Sequence, residues 1–204
     1  MFVWFQFSAS GAANSKMLDA TTFAVLKGML PVDCRTMTVL LPAAGGSYNT
    51  NYKNANFWGA VYGKGKILIV MQHLASGYVF GAYVEDTFNA AGPGWITGNS
   101  ANFIFRLTGT PVKLLYNGGS YGVWMSNSYS VGFQMGEGGD LVAFYSTTGL
   151  GRCTPGTYTT TAPGYTLPSP LVDGTLCGAV YNSGLGYAFT GTEVAAEIYQ
   201  CSSP

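Results

Sequence analysis

The stretch that decides the fold spans residues 63–84 and reads GKGKILIVMQHLASGYVFGAYV. Its first half contains a continuous apolar run at residues 67–71, which is typical of a strand buried on both faces. Its second half, residues 78–84, is again apolar and aromatic, and Ser76 and Gly77 between the two runs indicate a turn. The stretch therefore predicts a β-hairpin whose first strand is central in a sheet.

Further short strands are predicted on both sides of this hairpin, at residues 38–41, 102–107, 112–116, 131–135, 141–145 and 193–199. One clear helix is predicted over residues 19–30, because Asp19 can cap its first turn and Pro31 ends it. Residues 48–61 permit a second, weaker helix. Many short strands without strand–helix alternation predict a mainly β, α+β fold built on an antiparallel sheet or sandwich.

The chain of 204 residues is expected to form a single domain, because β-rich domains often reach this length. Residues 1–14 are predicted to form an N-terminal strand and a connector. Residues 146–192 are dense in Thr, Gly and Pro, so this region is expected to be a long, mostly irregular loop.

Charged residues make up only 9% of the chain, and 9 Lys+Arg balance 9 Asp+Glu. Without a basic cluster the protein is not expected to bind nucleic acid. A hydrophobic content of 48% excludes disorder, and no apolar run approaches the roughly 20 residues of a helical membrane span. The surface must be built from Gly, Ser, Thr, Asn and Tyr. Such a surface favours a protein that sits in an assembly; an ordinary domain with a neutral surface is the alternative.

The four cysteines are Cys34, Cys153, Cys177 and Cys201. None forms a CxxC pair, so zinc-ribbon and redox motifs are unsupported. Two disulfides would allow three pairings. The preferred one joins Cys153 to Cys177, closing a Pro/Gly/Thr-rich loop, and Cys34 to Cys201, tying the tail to the body. The alternative is four reduced, buried thiols. Two bridges would indicate an oxidising, extracellular compartment, with the cytoplasm as the alternative.

Six sequence blocks, taken in order, resemble the TLDc domain family. They lie at residues 15–34 (SKML, LK, LP and Cys34), 57–70 (FW, GKGK and LIV), 77–83 (GYVFGAY), 102–107 (NFIFRL), 136–141 (GEGGDL) and 193–199 (EVAAEIY). The block at 77–83 matches the family's most recognisable feature, an aromatic strand that ends in Phe-Gly-x-Tyr.

The resemblance implies a two-layer antiparallel β-sandwich with about two flanking helices. It also implies the roles of cytosolic members, which are associated with oxidation resistance and with binding the vacuolar proton pump. It transfers no catalytic residue. The chain departs from many relatives in the uncharged turn at residues 42–46, where they carry Arg-Asp-Gly, and at Gly139, where they often have His. These departures remove charged groups that a cytosolic partner would recognise.

Candidates for catalysis or metal binding are few. The single histidine, His73, lies at the hairpin bend, where a structural role is expected. Carboxylates that lie near one another could bind Ca²⁺ or do acid/base work, although turns and strand ends place such groups in water more often. The metal candidates are Glu85, Asp86, Glu137 and Asp140, and a further pair, Glu193 and Glu197, is predicted to share one face of the last strand. We expect a non-enzymatic protein without cofactor or metal.

Aromatic and hydroxyl side chains are the candidates for surface contact. Three tryptophans in or near predicted loops could stack on sugars, although packing within a sandwich is the favoured explanation: Trp58, Trp95 and Trp124. Four hydroxyl groups in the long loop could hydrogen-bond to a mineral or glycan: Tyr158, Thr159, Thr160 and Thr161.

These observations support three functional hypotheses. The first is a structural or linker protein of an extracellular ordered assembly, such as a skeletal matrix, a mineral-associated filament or a coat. Its partners would be another protein or copies of itself, with a mineral or glycan surface as a further contact. The alternatives are a cytosolic TLDc-type regulator of the vacuolar pump or of oxidation resistance, and a carbohydrate-binding module.

Overall fold

The computed structural model describes residues 15–34, 36–41, 54–89, 94–96, 99–116, 122–125, 131–136, 141–145, 153, 176–178 and 193–203. The predicted N-terminal strand within residues 1–14 and nearly all of the loop at 146–192 lie outside these residues. So do six of the candidate site residues, namely Glu137, Asp140, Tyr158, Thr159, Thr160 and Thr161.

Two helices and ten strands follow one another in the described chain. In order they are α1 (Ala20–Met29), β1 (Thr36–Leu41), α2 (Asn54–Val61), β2 (Ile67–His73), β3 (Val79–Val84), β4 (Gly94–Ile96), β5 (Phe103–Arg106), β6 (Val112–Leu115), β7 (Val123–Met125), β8 (Val131–Met135), β9 (Leu141–Tyr145) and β10 (Val194–Ser202). Neither helix is long and apolar enough to cross a membrane within the described residues.

The strands form two sheets in which every pairing is antiparallel. One sheet has six strands in the order β1-β10-β2-β3-β5-β6, and the other has four in the order β4-β7-β8-β9. The predicted fold class, a mainly β, sandwich-like α+β fold with two helices, is confirmed.

The predicted hairpin is the middle of the six-stranded sheet. β2 pairs with β3 on one side and with β10 on the other, so the strand is flanked on both edges. Every residue from Ile67 to Met71 is buried. The prediction of a central strand covered on both faces is therefore confirmed, and its physical reason is that a hydrophobic layer lies on each side of it.

Two apolar clusters lie on opposite faces of the six-stranded sheet. The inner cluster joins this sheet to α2 and to the four-stranded sheet, and its residues include Phe57, Ile69, Ile104 and Phe133. The outer cluster packs the other face beneath α1, whose Leu26 is fully buried there. We refer to these as the inner and outer faces of the six-stranded sheet.

Helix α1 begins and ends where its sequence predicts. The Asp19 carboxylate accepts a hydrogen bond from the Thr22 backbone N–H at 2.7 Å, which satisfies a donor of the first turn. The helix ends at Met29; the backbone N–H of the next residue, Leu30, still bonds to the Leu26 carbonyl, and Pro31 follows. Both ends of α1 are therefore defined by local sequence, and Leu26 packs the helix against the outer face.

Strands β4 and β7 were not predicted. Each has only three residues, which is too short for an alternating pattern to stand out from the Gly- and Asn-rich sequence around it. The two strands are stabilised by pairing with each other, which places Trp95 and Trp124 directly opposite each other.

Candidate functional site

The block at residues 77–83 is explained by packing on the outer face. A Cβ atom added at Gly81 would lie 1.9 Å from the Ile69 carbonyl oxygen and 2.9 Å from the Phe105 ring. Tyr83, two residues further on, stacks on Phe103 with ring centroids 5.4 Å apart. The glycine lets a neighbouring aromatic ring lie against the backbone, and the tyrosine extends the aromatic layer beside it.

Glu85 belongs to a network at the end of β3. Its carboxylate accepts a hydrogen bond from the Tyr83 hydroxyl, and its Oε1 lies 3.7 Å from the Lys66 Nζ. Lys66 also donates a hydrogen bond to the Asp33 carboxylate, which raises the pKa of Lys66 and lowers the pKa of Asp33. Burial, and then the bond to Glu85, raise the pKa of the Tyr83 hydroxyl. Glu85 therefore acts as an acceptor for a tyrosine and a neighbour of a lysine.

Asp86 serves a different network. Its Oδ2 accepts hydrogen bonds from the Asn102 side-chain amide at 2.7 Å and from the Asn99 backbone N–H at 3.1 Å. Asn102 is fully buried, and its Oδ1 accepts the Glu85 backbone N–H at 2.8 Å. The adjacent carboxylates of Glu85 and Asp86 thus hold separate partners. No group of three or more His, Cys, Asp or Glu side chains suited to a metal ion occurs within the described residues.

Among the acidic residues that the structure describes, Glu197 is the one with a buried side chain, with 1% of its surface exposed. It accepts hydrogen bonds from the Ser15 hydroxyl at 2.5 Å, the Lys16 backbone N–H at 3.0 Å and the Tyr199 hydroxyl at 2.6 Å. Three donors around one carboxylate are what a buried charge requires. The segment that leads into α1 is thereby fixed to the middle of the sheet.

Glu193 lies one residue before β10, which begins at Val194, and is exposed, whereas Glu197 is buried within the strand. The general expectation that acidic groups here would face water is wrong for Glu197. Three donors compensate its burial, and two of them come from the distant segment at Ser15 and Lys16, which no local pattern reveals.

His73 is the last residue of β2 and is buried at the hairpin turn. Its Nδ1 accepts the Ser76 backbone N–H at 3.2 Å and lies 2.9 Å from the Ser76 hydroxyl, which donates to the Cys177 carbonyl at 2.5 Å. Burial lowers the pKa of His73, and the charge of Glu193 acts in the opposite direction. The neutral imidazole therefore shapes the turn that contacts Cys177.

All four cysteines are in disulfides, which join Cys34 to Cys201 and Cys153 to Cys177. This confirms the preferred pairing among the three that four cysteines allow. Both bridges are buried. The first ties the segment after α1 to the end of β10, and the Cys201 backbone N–H bonds to the Lys66 carbonyl at 2.8 Å beside it. The second lies in the inner cluster.

The three candidate tryptophans divide into one core residue, Trp58, and one surface pair, Trp95 and Trp124. Trp58 lies in α2, not in a loop, and packs edge-on against Phe57 and Phe88 in the inner cluster. Trp95 and Trp124 are half-buried on the four-stranded sheet, with ring centroids 5.5 Å apart. Of the residues predicted to make surface contacts, Trp95 and Trp124 are the two that lie next to each other in the described structure.

Both edge strands of the six-stranded sheet carry an exposed apolar side chain. Val39 of β1 is 40% exposed, and Leu115 of β6 is 54% exposed. The two strands lie at opposite ends of the sheet. Apolar side chains at the ends of a sheet are suited to contact with another chain.

The chain matches the TLDc domain family over residues 11–174, which is more than half of its length. The protein therefore belongs to the TLDc domain family, as the six blocks indicate. A search of curated proteins gave no match. Strand β10 follows the matched residues but lies between β1 and β2, so the folded unit extends past them.

Sequence reasoning missed Ser15 and Tyr199 as partners of Glu197. A signal was present, because a glutamate stands within an otherwise apolar run at residues 194–198. A charge in a buried strand needs donors nearby. The tyrosine two residues later lies on the same side of the strand and was available as one of them.

Proposed function

We propose that this TLDc domain is a secreted, non-enzymatic component of an ordered extracellular assembly, in which it acts through contacts with another protein or with copies of itself. The observation that carries the proposal is the complete pairing of its cysteines in two buried disulfides. Disulfides persist in oxidising compartments and are rare in the cytosol. A skeletal matrix, a mineral-associated filament or a coat would use such a covalently braced domain.

The non-enzymatic part of the proposal is supported by the hydrogen bonds that titratable side chains make within the fold. His73 shapes a turn, Glu197 holds the segment before α1, and Asp86 holds an asparagine. A catalytic acid or base has to reach a substrate proton, whereas these groups are engaged with other parts of the chain.

Contacts between copies would use the two ends of the six-stranded sheet. Val39 and Leu115 lie on opposite outer strands, so a contact from β1 of one copy to β6 of the next joins different surfaces. Such head-to-tail contacts extend into open filaments when the rotation between copies does not close a ring. A net charge of zero leaves little long-range repulsion to oppose them.

The compartment is tested on protein isolated from its native source. Mass spectrometry after alkylation without reduction should find two intact bridges and no alkylated cysteine. Four alkylated thiols would instead favour the cytosolic pump or oxidation-resistance role and would overturn the extracellular assignment.

The assembly is tested by sedimentation of the purified chain over a range of concentrations. The wild-type protein should self-associate, and Leu115→Lys should shift it towards monomer because a charge would have to be buried at the contact. Leu74→Lys is the matched control, since Leu74 is another exposed leucine, near the hairpin turn. A wild-type chain that stays monomeric at millimolar concentration would exclude self-assembly through these ends.

A further inference from the structure

The outward surface of the four-stranded sheet carries a short row of side chains that the assembly does not use. Trp95 of β4 lies opposite Trp124 of β7, and Trp124 lies opposite Gln134 of β8. Their neighbours along the strands, such as Val123 and Phe133, are buried in the inner cluster, whereas these three side chains are half-buried. Side chains alternate along a strand, so the three occupy the opposite surface. We call this row the indole face.

The geometry of the indole face sets the shape of a ligand. The two indole rings have centroids 5.5 Å apart and planes inclined at 68°. They form an angled corner and do not make a flat platform. A ring-sized group can stack on one indole while its edge meets the other. A planar crystalline surface cannot lie on both indoles at once.

The size of the row also limits the ligand. Three side chains on three adjacent strands extend over roughly 10 Å, because neighbouring strands are about 4.8 Å apart. That span suits one or two sugar rings. A patch of three side chains also covers much less area than the roughly 800 Å² that each partner buries in a stable protein interface.

The chemistry of the strands points to a neutral ligand. Strands β4, β7, β8 and β9 read GWI, VWM, VGFQM and LVAFY, without a charged residue. An indole presents an electron-rich face to polarised C–H groups. Gln134 adds an amide, whose Nε2 donates to the Gly136 carbonyl at 3.1 Å and whose oxygen is an acceptor. Apolar surface with a few polar groups is what a hydroxylated ring requires.

We propose that the indole face binds a short, neutral, single-chain oligosaccharide, with one sugar ring stacked on an indole and its hydroxyls beside Gln134. This binding is separate from the proposed contacts at Val39 and Leu115. A variant that loses binding at one of these surfaces should keep binding at the other, so the two can be measured separately.

The proposal is tested by titration calorimetry and tryptophan fluorescence with cellohexaose, laminarihexaose and chitohexaose, and with a heparin hexasaccharide as the anionic comparison. At least one neutral hexasaccharide should bind, and the heparin fragment should not. Trp124→Ala and Trp95→Ala should each weaken binding about tenfold or more, whereas Trp124→Phe should lose less because it keeps an aromatic face. Tyr62→Ala is the matched control, since Tyr62 is 61% exposed after α2 and should not affect binding.

Three results would overturn the proposal. One is the absence of binding to every neutral hexasaccharide. Another is unchanged affinity in Trp124→Ala and Trp95→Ala when urea unfolding shows that both are folded. The third is loss of self-association in these variants without any sugar binding in the wild type, which would make the indole face a protein contact. Leu115→Lys should retain sugar binding, so failure of the assembly proposal is distinguishable from failure of this one.

Discussion

The Ser15 hydroxyl donates a hydrogen bond of 2.5 Å to the Glu197 carboxylate, across 182 positions of sequence. The same carboxylate accepts the Lys16 backbone N–H and the Tyr199 hydroxyl. One buried carboxylate thus joins the segment before α1 to β10, which lies between β1 and β2. The bond restrains the chain where the outer cluster begins with Met17 and Leu18.

Replacing Glu197 with Gln should lower the free energy of unfolding by about 2–4 kcal/mol, because a buried acceptor for three donors loses its charge and gains an N–H₂ group that faces them. Urea unfolding measures the change. Glu193→Gln, at an exposed position, is the control and should stay within about 0.5 kcal/mol of the wild type. Equal stability of the two variants would show that the network contributes nothing.

Gly81→Ala should be among the most destabilising single-methyl changes, at about 3 kcal/mol, because the new Cβ would lie 1.9 Å from the Ile69 carbonyl oxygen. Gly59→Ala is the paired measurement. Gly59 lies in α2 with nothing within 4 Å of an added Cβ, so alanine should stabilise the protein by about 0.5–1 kcal/mol. If both substitutions change the free energy of unfolding in the same direction, the close contact at Gly81 does not determine the effect of the added methyl group.

The two disulfides should contribute unequally to stability. The Cys34–Cys201 bridge closes 167 residues and the Cys153–Cys177 bridge closes 24. Chain entropy predicts a loss of about 5 kcal/mol for the first when both partners become alanine, and about 3.5 kcal/mol for the second. Thermal and urea unfolding of the two double variants test the order. A larger loss for the shorter loop would show that native packing, not the constraint on the unfolded chain, dominates.

Stability should decline as the pH falls through the titration range of histidine. Because burial holds the pKa of His73 below its ordinary value, the unfolded chain takes up a proton before the folded one does. The contribution is therefore complete above about pH 6.5 and is lost as the pH falls through the folded pKa. In urea unfolding between about pH 7.5 and about pH 5.5, His73→Gln should show a shallower decline than the wild type. Parallel curves would contradict a buried neutral histidine.

Sequence patterns predicted the parts of the fold that repeat over several residues. The run at 67–71, the turn at Gly77 and the cap at Asp19 each contain enough local information to define an element. The three-residue strands β4 and β7 do not, so their indole pair was foreseen only as separate residues. The order of the strands was also hidden, because β10 reaches its neighbours through contacts with no sequence period.

For the candidate site, too, local sequence predicted some features, whereas others depend on residues far apart in the chain. The disulfide pairing was one of three possibilities, and its choice rested on loop composition. The roles of Glu85 and Asp86 depended on Tyr83, Lys66 and Asn102. Two of these three lie more than fifteen positions from their partners, so turn chemistry alone could not assign them.

The position of β10 has a consequence for how the chain is made. β1 and β2 leave the ribosome more than 120 residues before the strand that must lie between them. Until β10 is synthesised, the edges of β1 and β2 that pair with it are open, and Cys34 has no partner at position 201. The domain must complete its sheet and its longer bridge after most of it has been synthesised. Exposed apolar surface and unpaired strand edges favour aggregation of a partly folded chain during that interval.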